Sequence, residues 1–193
     1  MEATQLACTY YSLAVPLIMF ALYLWKRRGS IKHPGRLISS TTLALALVLG
    51  LTVWKPVKTP YGPLSPVDVG VMTVAMVFGP AIGGFAGALG SALGALLGGG
   101  PVTVVMTARG LEGLVTGYVA RNAEGSSGRL LAGVLGGALA IAVVAGFVYL
   151  TGDVGRVDQV LSTMLAEAST GIIVGTGASG VIRRGIPWAG DVL

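Results

Sequence analysis

Residues 65–121 read SPVDVGVMTVAMVFGPAIGGFAGALGSALGALLGGGPVTVVMTARGLEGLVTGYVAR. Between Val67 and Ala108 the one ionisable side chain is Asp68. Glycines at Gly83, Gly87, Gly90, Gly94 and Gly98 recur every three or four positions, so they share one face of a helix and let neighbouring backbones approach closely. The next apolar segment then carries Arg109 and Glu112 in its middle. Charges at that depth in a bilayer are costly unless they face protein or a water-filled cavity. The stretch reads as a glycine-packed helical hairpin leading into a helix with buried polar groups.

Composition agrees. The chain has 193 residues, of which 53% are hydrophobic and 11% charged, and its mean hydropathy is +0.80. Soluble domains carry roughly a quarter charged residues, so this is an integral membrane protein. Its apolar runs are long and continuous rather than alternating, which excludes an outer-membrane β-barrel. The class is an all-α, polytopic helical bundle. The net charge of +5 does not signal nucleic-acid binding, because the basic residues cluster at the ends of apolar runs, where they set topology. The single Cys8 allows no intrachain disulfide. The first apolar run is followed, not preceded, by Lys26, Arg27 and Arg28, the reverse of a secretory signal.

A spanning helix needs about 20 apolar residues. Seven segments qualify in whole or part: Leu6–Trp25, Leu37–Trp54, Val67–Phe78, Pro80–Gly98, Val102–Ala120, Leu130–Leu150 and Val160–Ile182. The third and fourth are short and turn at Gly79-Pro80, so they form a tilted or incomplete hairpin. KPVKTPYGPLSP, after the second span, holds four prolines and is expected to be a structured but non-helical loop. Seven spans place Lys26, Arg27, Arg28, Lys32, Arg36, Arg121, Arg129, Arg183 and Arg184 on one side, and Lys55, Lys58 and Arg156 on the other. The positive-inside rule then gives a multi-pass plasma-membrane protein with its N-terminus outside and its C-terminus cytoplasmic.

The run Phe78-Gly79-Pro80-Ala81-Ile82-Gly83, the glycine-rich helix behind it, and Arg109-Gly110-Leu111-Glu112-Gly113 resemble the substrate-binding S components of energy-coupling factor (ECF) transporters. The resemblance covers six spans, about Ser39 to Arg184; the span Leu6–Trp25 is an addition to the family's usual six. Two units follow: residues 1–36, an N-terminal helix and basic loop, and residues 37–193, a six-span substrate-binding domain. The resemblance implies capture of a small water-soluble vitamin or related micronutrient from outside. It implies partnership with a transmembrane coupling subunit and ATPase subunits, no cofactor, and no enzymatic activity. No GxxxxGK[ST] motif occurs, so nucleotide hydrolysis would belong to the partners.

Arg109 and Glu112 stand at i, i+3 on one helix face, with Arg109 about seven residues or ~10 Å below the outer end of their span. Glu167 lies at matching depth on the last span. The three form either the polar floor of a ligand pocket, acting through charge-assisted hydrogen bonds, or a structural lock between helices that includes an Arg109–Glu167 bridge. Trp54, Tyr61 and Tyr149 sit at the outer end, as interfacial anchors or as ligand contacts. Tyr61 falls in the loop that closes over the ligand in the resembled family. Asp68 reads as a helix-start carboxylate favoured by the dipole. Ser40, Thr42, Ala44 and Ala46 form overlapping small-xxx-small pairs, suited to internal packing or, by the resemblance, to docking the coupling subunit. His33 is the one histidine and lies in a basic loop, so His-dependent hydrolysis and zinc sites are not expected. Two other readings stay open: a non-transporting membrane scaffold whose buried charges are structural, and an intramembrane enzyme using Glu112 or Glu167 as a base.

Overall fold

A central post, helix α3 (Val67–Phe78), organises the computed structural model; every residue from Val67 to Val77 except Val69 is buried. The structure describes residues 14–25, 33–55, 57–59, 62–98, 101–123, 125–150 and 157–186. Twelve helical residues span only ~18 Å, too short to cross a bilayer alone. A helix apolar on all sides belongs inside a bundle, and α3 touches all five of the longer helical segments around it. These are α2 (Pro34–Val53), α4 (Pro80–Gly98), α5 (Val102–Asn122), α6 (Gly125–Leu150) and a last helix, α7 (Val157–Thr170), which passes through a π turn (Gly171–Gly175) into α8 (Thr176–Gly185). The incomplete hairpin expected of α3 and α4 is therefore a buried short helix followed by a full-length one.

The membrane character is visible on the surface. Among the described residues, four helical stretches are long and apolar enough to cross a membrane: Pro34–Val53, Pro80–Gly98, Gly125–Leu150 and Asp158–Gly185, with mean hydropathies from 1.3 to 2.4. Leu131, Leu135, Phe147, Leu165, Ile173 and Val181 are all exposed, a belt suited to lipid rather than water. The protein is a multi-pass α-helical membrane protein.

Local sequence sets the turns. Gly79 adopts φ +90°, a conformation open to glycine, and Pro80 opens α4 where its missing N–H costs nothing. The close approach of α4 to its neighbours depends on Gly83 and Gly113. A Cβ on Gly113 of α5 would overlap the carbonyl of Gly83, and one on Gly83 would stand 2.5 Å from the Ala75 Cβ of α3. The proline-rich loop is non-helical, as read from its sequence. It holds a short antiparallel hairpin, β1 (Val57–Thr59) against β2 (Gly62–Leu64), with Val57 opposite Leu64 and Thr59 opposite Gly62.

Helix α1 (Ala14–Trp25) is the described part of the first expected span; residues 6–13 lie outside the described residues. It leans on α4, where Phe20 stacks on Phe85 with ring centroids 4.2 Å apart. Val15, Met19, Phe20 and Tyr23 share a cavity of about 480 Å³ with Phe85 and with Met106 of α5. On α2, Ser40 and Ala44 are buried at 2% and 0% exposure, and Ala44 belongs to the internal core with Val48 and Val71. Thr42 and Ala46 face outward, uncovered by the described part of the chain.

Candidate functional site

One guanidinium gathers three carboxylates from three helices. Arg109, on α5, is 5% exposed. Its Nη1 donates to Glu112 Oε2 at 3.0 Å and also pairs with Asp68 Oδ1 of α3. Its Nη2 donates to Glu167 Oε2 of α7 at 2.8 Å. Asp68 and Glu112 are wholly buried. Glu112 Oε1 and Asp68 Oδ2 have no hydrogen-bond partner among the described residues, so the cluster holds more acceptor capacity than its one arginine fills.

The cluster closes the floor of a cavity of about 350 Å³. Arg109 and Glu167 line it from below; Thr52, Lys55 and Ser65 line it from the α2–α3 side, and Val105, Ala108, Val144 and Met164 supply apolar walls. That volume lies in the range of small-molecule sites, which pair apolar walls with a few placed polar groups. The helix ends around the cavity are the last turns of α2 and α4 and the first turns of α3 and α5, so it lies towards one pole of the bundle, with α7 lining it from Thr163 to Glu167.

Glu167 also ties the floor to the hairpin. Its Oε1 accepts from the Ser65 backbone N–H at 2.9 Å, and the Ser65 hydroxyl donates to the Leu51 carbonyl at 2.6 Å. Ser65 directly follows β2, so one carboxylate holds both the guanidinium and the root of the loop.

The geometry sorts the residues read from sequence. Arg109, Glu112 and Glu167 come together, with Arg109 and Glu167 lining the cavity and Glu112 behind them. Trp54 is 58% exposed and Tyr149 70% exposed, and neither lines the cavity. Tyr61 lies outside the described residues. Asp68 sits in the first turn of α3, as expected, but its role does not end with the helix dipole. It is buried and paired with Arg109, which makes it a fourth member of the cluster. Nothing local in the sequence joins Asp68 to Arg109; the available signal is a lone acid in an otherwise apolar run.

Residues 35–184 match the family described as ECF-type riboflavin transporter, S component. The chain belongs to this family. It is also 34% identical over 137 residues to a Pyrococcus woesei protein named "Uncharacterized protein in gap 3'region", a match covering 68% of this chain and 89% of that one. Membership places the protein among S components of vitamin-type uptake, and the family is not a class of enzymes. The family match begins beyond α1, so the first helix lies outside it.

Proposed function

We propose that the protein captures a small water-soluble vitamin-type compound in the cavity above Arg109 and Glu167. It then passes that compound inward with a transmembrane coupling subunit and ATPase subunits. The observation that carries this reading is the cavity itself, floored by a charged cluster and lying towards the pole of Lys55. The basic residues Arg36, Arg121, Arg129, Arg183 and Arg184 gather at the opposite pole, which supports an outward-facing cavity and a cytoplasmic C-terminus.

Arg109 already serves three carboxylates, so it is a poor receptor for an anionic ligand. Each oxygen of Glu167 accepts one hydrogen bond and keeps a lone pair. The ligand of this reading therefore offers N–H or O–H donors to Glu167. Riboflavin, which gives the family its name, is the first compound to test. Residues 37–193 form the binding domain in this reading, and residues 1–36 are an appendage to it.

Two experiments test the proposal. Small molecules released by denaturing the purified protein should include one vitamin-type species near one-to-one stoichiometry by mass spectrometry. Glu167→Gln should weaken its binding roughly 10- to 100-fold, the magnitude of a charge-assisted hydrogen bond, while the protein stays monodisperse. An empty protein that also ignores riboflavin and other vitamins in a thermal-shift screen would favour the scaffold reading, in which the carboxylates merely lock helices.

The outward face of α2 at Thr42 and Ala46 is the place for the coupling subunit in this reading, because small residues there permit close helix contact. Ser40 and Ala44 support that helix from inside. Ala46→Trp should abolish co-purification with a coupling subunit yet leave ligand affinity unchanged. Retained co-purification would move the contact elsewhere.

A further inference from the structure

A second cavity, of about 480 Å³ against 350 Å³ for the one above Arg109, lies where α1 leans on the α4–α5 seam. The three helices fix its shape. A Cβ on Gly117 of α5 would meet Pro80, and one on Gly110 would meet Ala88, so α4 and α5 run antiparallel along it. Phe20 of α1 stacks on Phe85, and Phe20 and Leu24 pack against the core cluster that contains Leu37 and Ile82, so α1 follows the same axis. One end of the cavity is marked by Tyr23, Pro80 and Leu114, the other by Val15, Ala88 and Met106. Eight positions separate the two ends on each helix, which makes the cavity a slot ~12 Å long, parallel to the helices.

The slot takes up the half of α4 that begins at Pro80. One leaflet of a bilayer holds ~15 Å of hydrocarbon, so the slot has the length and direction of an acyl chain in that leaflet. Its chemistry agrees. None of the described residues that line it is charged. The Thr107 hydroxyl donates to the Thr103 carbonyl at 2.9 Å, and Tyr23 has a partner of its own. Nothing in this lining calls for water or for an ionic ligand, and an apolar cavity stays dry. The slot is also continuous with the lipid-facing surface, because Met19 of α1 and Leu114 of α5 both line it and are both exposed. A void of this size forfeits dispersion contacts on three helices, and a chain from a neighbouring lipid restores them.

We propose that this slot binds one hydrocarbon chain of a membrane lipid, which packs α1 against the rest of the bundle. The family match begins after α1, so the site comes with the added helix and is independent of the transport reading. Its test reconstitutes the full chain with palmitoyl-oleoyl-phosphatidylcholine or with dihexanoyl-phosphatidylcholine, which has the same headgroup but chains too short to fill the slot. Native mass spectrometry counts retained lipid, and thermal scans give the melting temperature. The long-chain lipid should stay bound as one adduct per protein and raise the melting temperature; the short-chain lipid should do neither. Thr107→Phe should cut retention roughly tenfold, because a ring would take the place of several methylenes. Ala81→Phe should do the same from the other end of the slot, and it decides the matter if Thr107→Phe does not fold. Val134→Phe, on the exposed side of α6, should leave retention unchanged. Absence of a long-chain adduct would overturn the proposal. Equal retention of the two lipids would overturn it as well, since the headgroup would then be the attraction, and so would an adduct that survives both slot-filling replacements.

Discussion

Arg109→Ala should destabilise the protein by about 3–5 kcal/mol, the usual consequence of removing one partner from a buried ion cluster. The loss goes beyond one ion pair. Asp68, Glu112 and Glu167 converge on this guanidinium, and two of the three are shut off from water entirely. Without it, three carboxylates face one another at low dielectric, and α3, α5 and α7 lose their common tie. Thermal scans of the detergent-solubilised variant should show a large fall in melting temperature, and size-exclusion profiles should show aggregation. Arg109→Lys should recover only part of the stability, because one ammonium cannot reproduce a two-sided fork. A stable, monodisperse Arg109→Ala protein would mean that the cluster does not hold the helices together.

Gly113→Val should come second, at about 3 kcal/mol, the upper end of the range for overpacked cores. The new Cβ would meet the backbone of Gly83 and not a side chain that can swing aside, so α4 and α5 would have to separate. These two helices make the most extensive contact in the bundle, and their separation would also shift Arg109, which faces Gly87 through its carbonyl. Gly146→Val is the control. It has open space around it and should change the melting temperature little. Equal behaviour of the two variants would contradict a backbone-to-backbone seam.

Much of the architecture is legible in the sequence because hydropathy and helix punctuation are local properties. Val67–Phe78 and Pro80–Gly98 have the boundaries that Pro66, Gly79-Pro80 and the Gly98–Gly100 run suggest. The approach of Arg109 to Glu112 follows from i, i+3 spacing, and that of Glu167 from matched depth on two helices. The pairing of Asp68 is not legible in the same way. Its partner is 41 positions away, and its place in the first turn of a helix offers a sufficient local explanation. The central position of α3 is equally hidden, since a short apolar helix looks alike at the edge or the middle of a bundle. Depth along the membrane normal can be counted from sequence, but rotation about a helix axis depends on partners. That is why Trp54 and Tyr149 have the expected height yet stay outside the cavity lining.

The shared guanidinium has a consequence for how such a chain can change over generations. Asp68, Arg109, Glu112 and Glu167 are four codons with one joint fitness effect, because the contribution of each depends on the others being present. A double replacement such as Arg109→Gln with Asp68→Asn should cost less than the sum of the two single changes, a non-additivity measurable in a double-mutant cycle. Substitution at this floor is therefore expected to proceed by paired steps and, in the proposed reading of the cavity as a ligand site, new preferences to arise more readily on the apolar walls at Val105, Val144 and Met164.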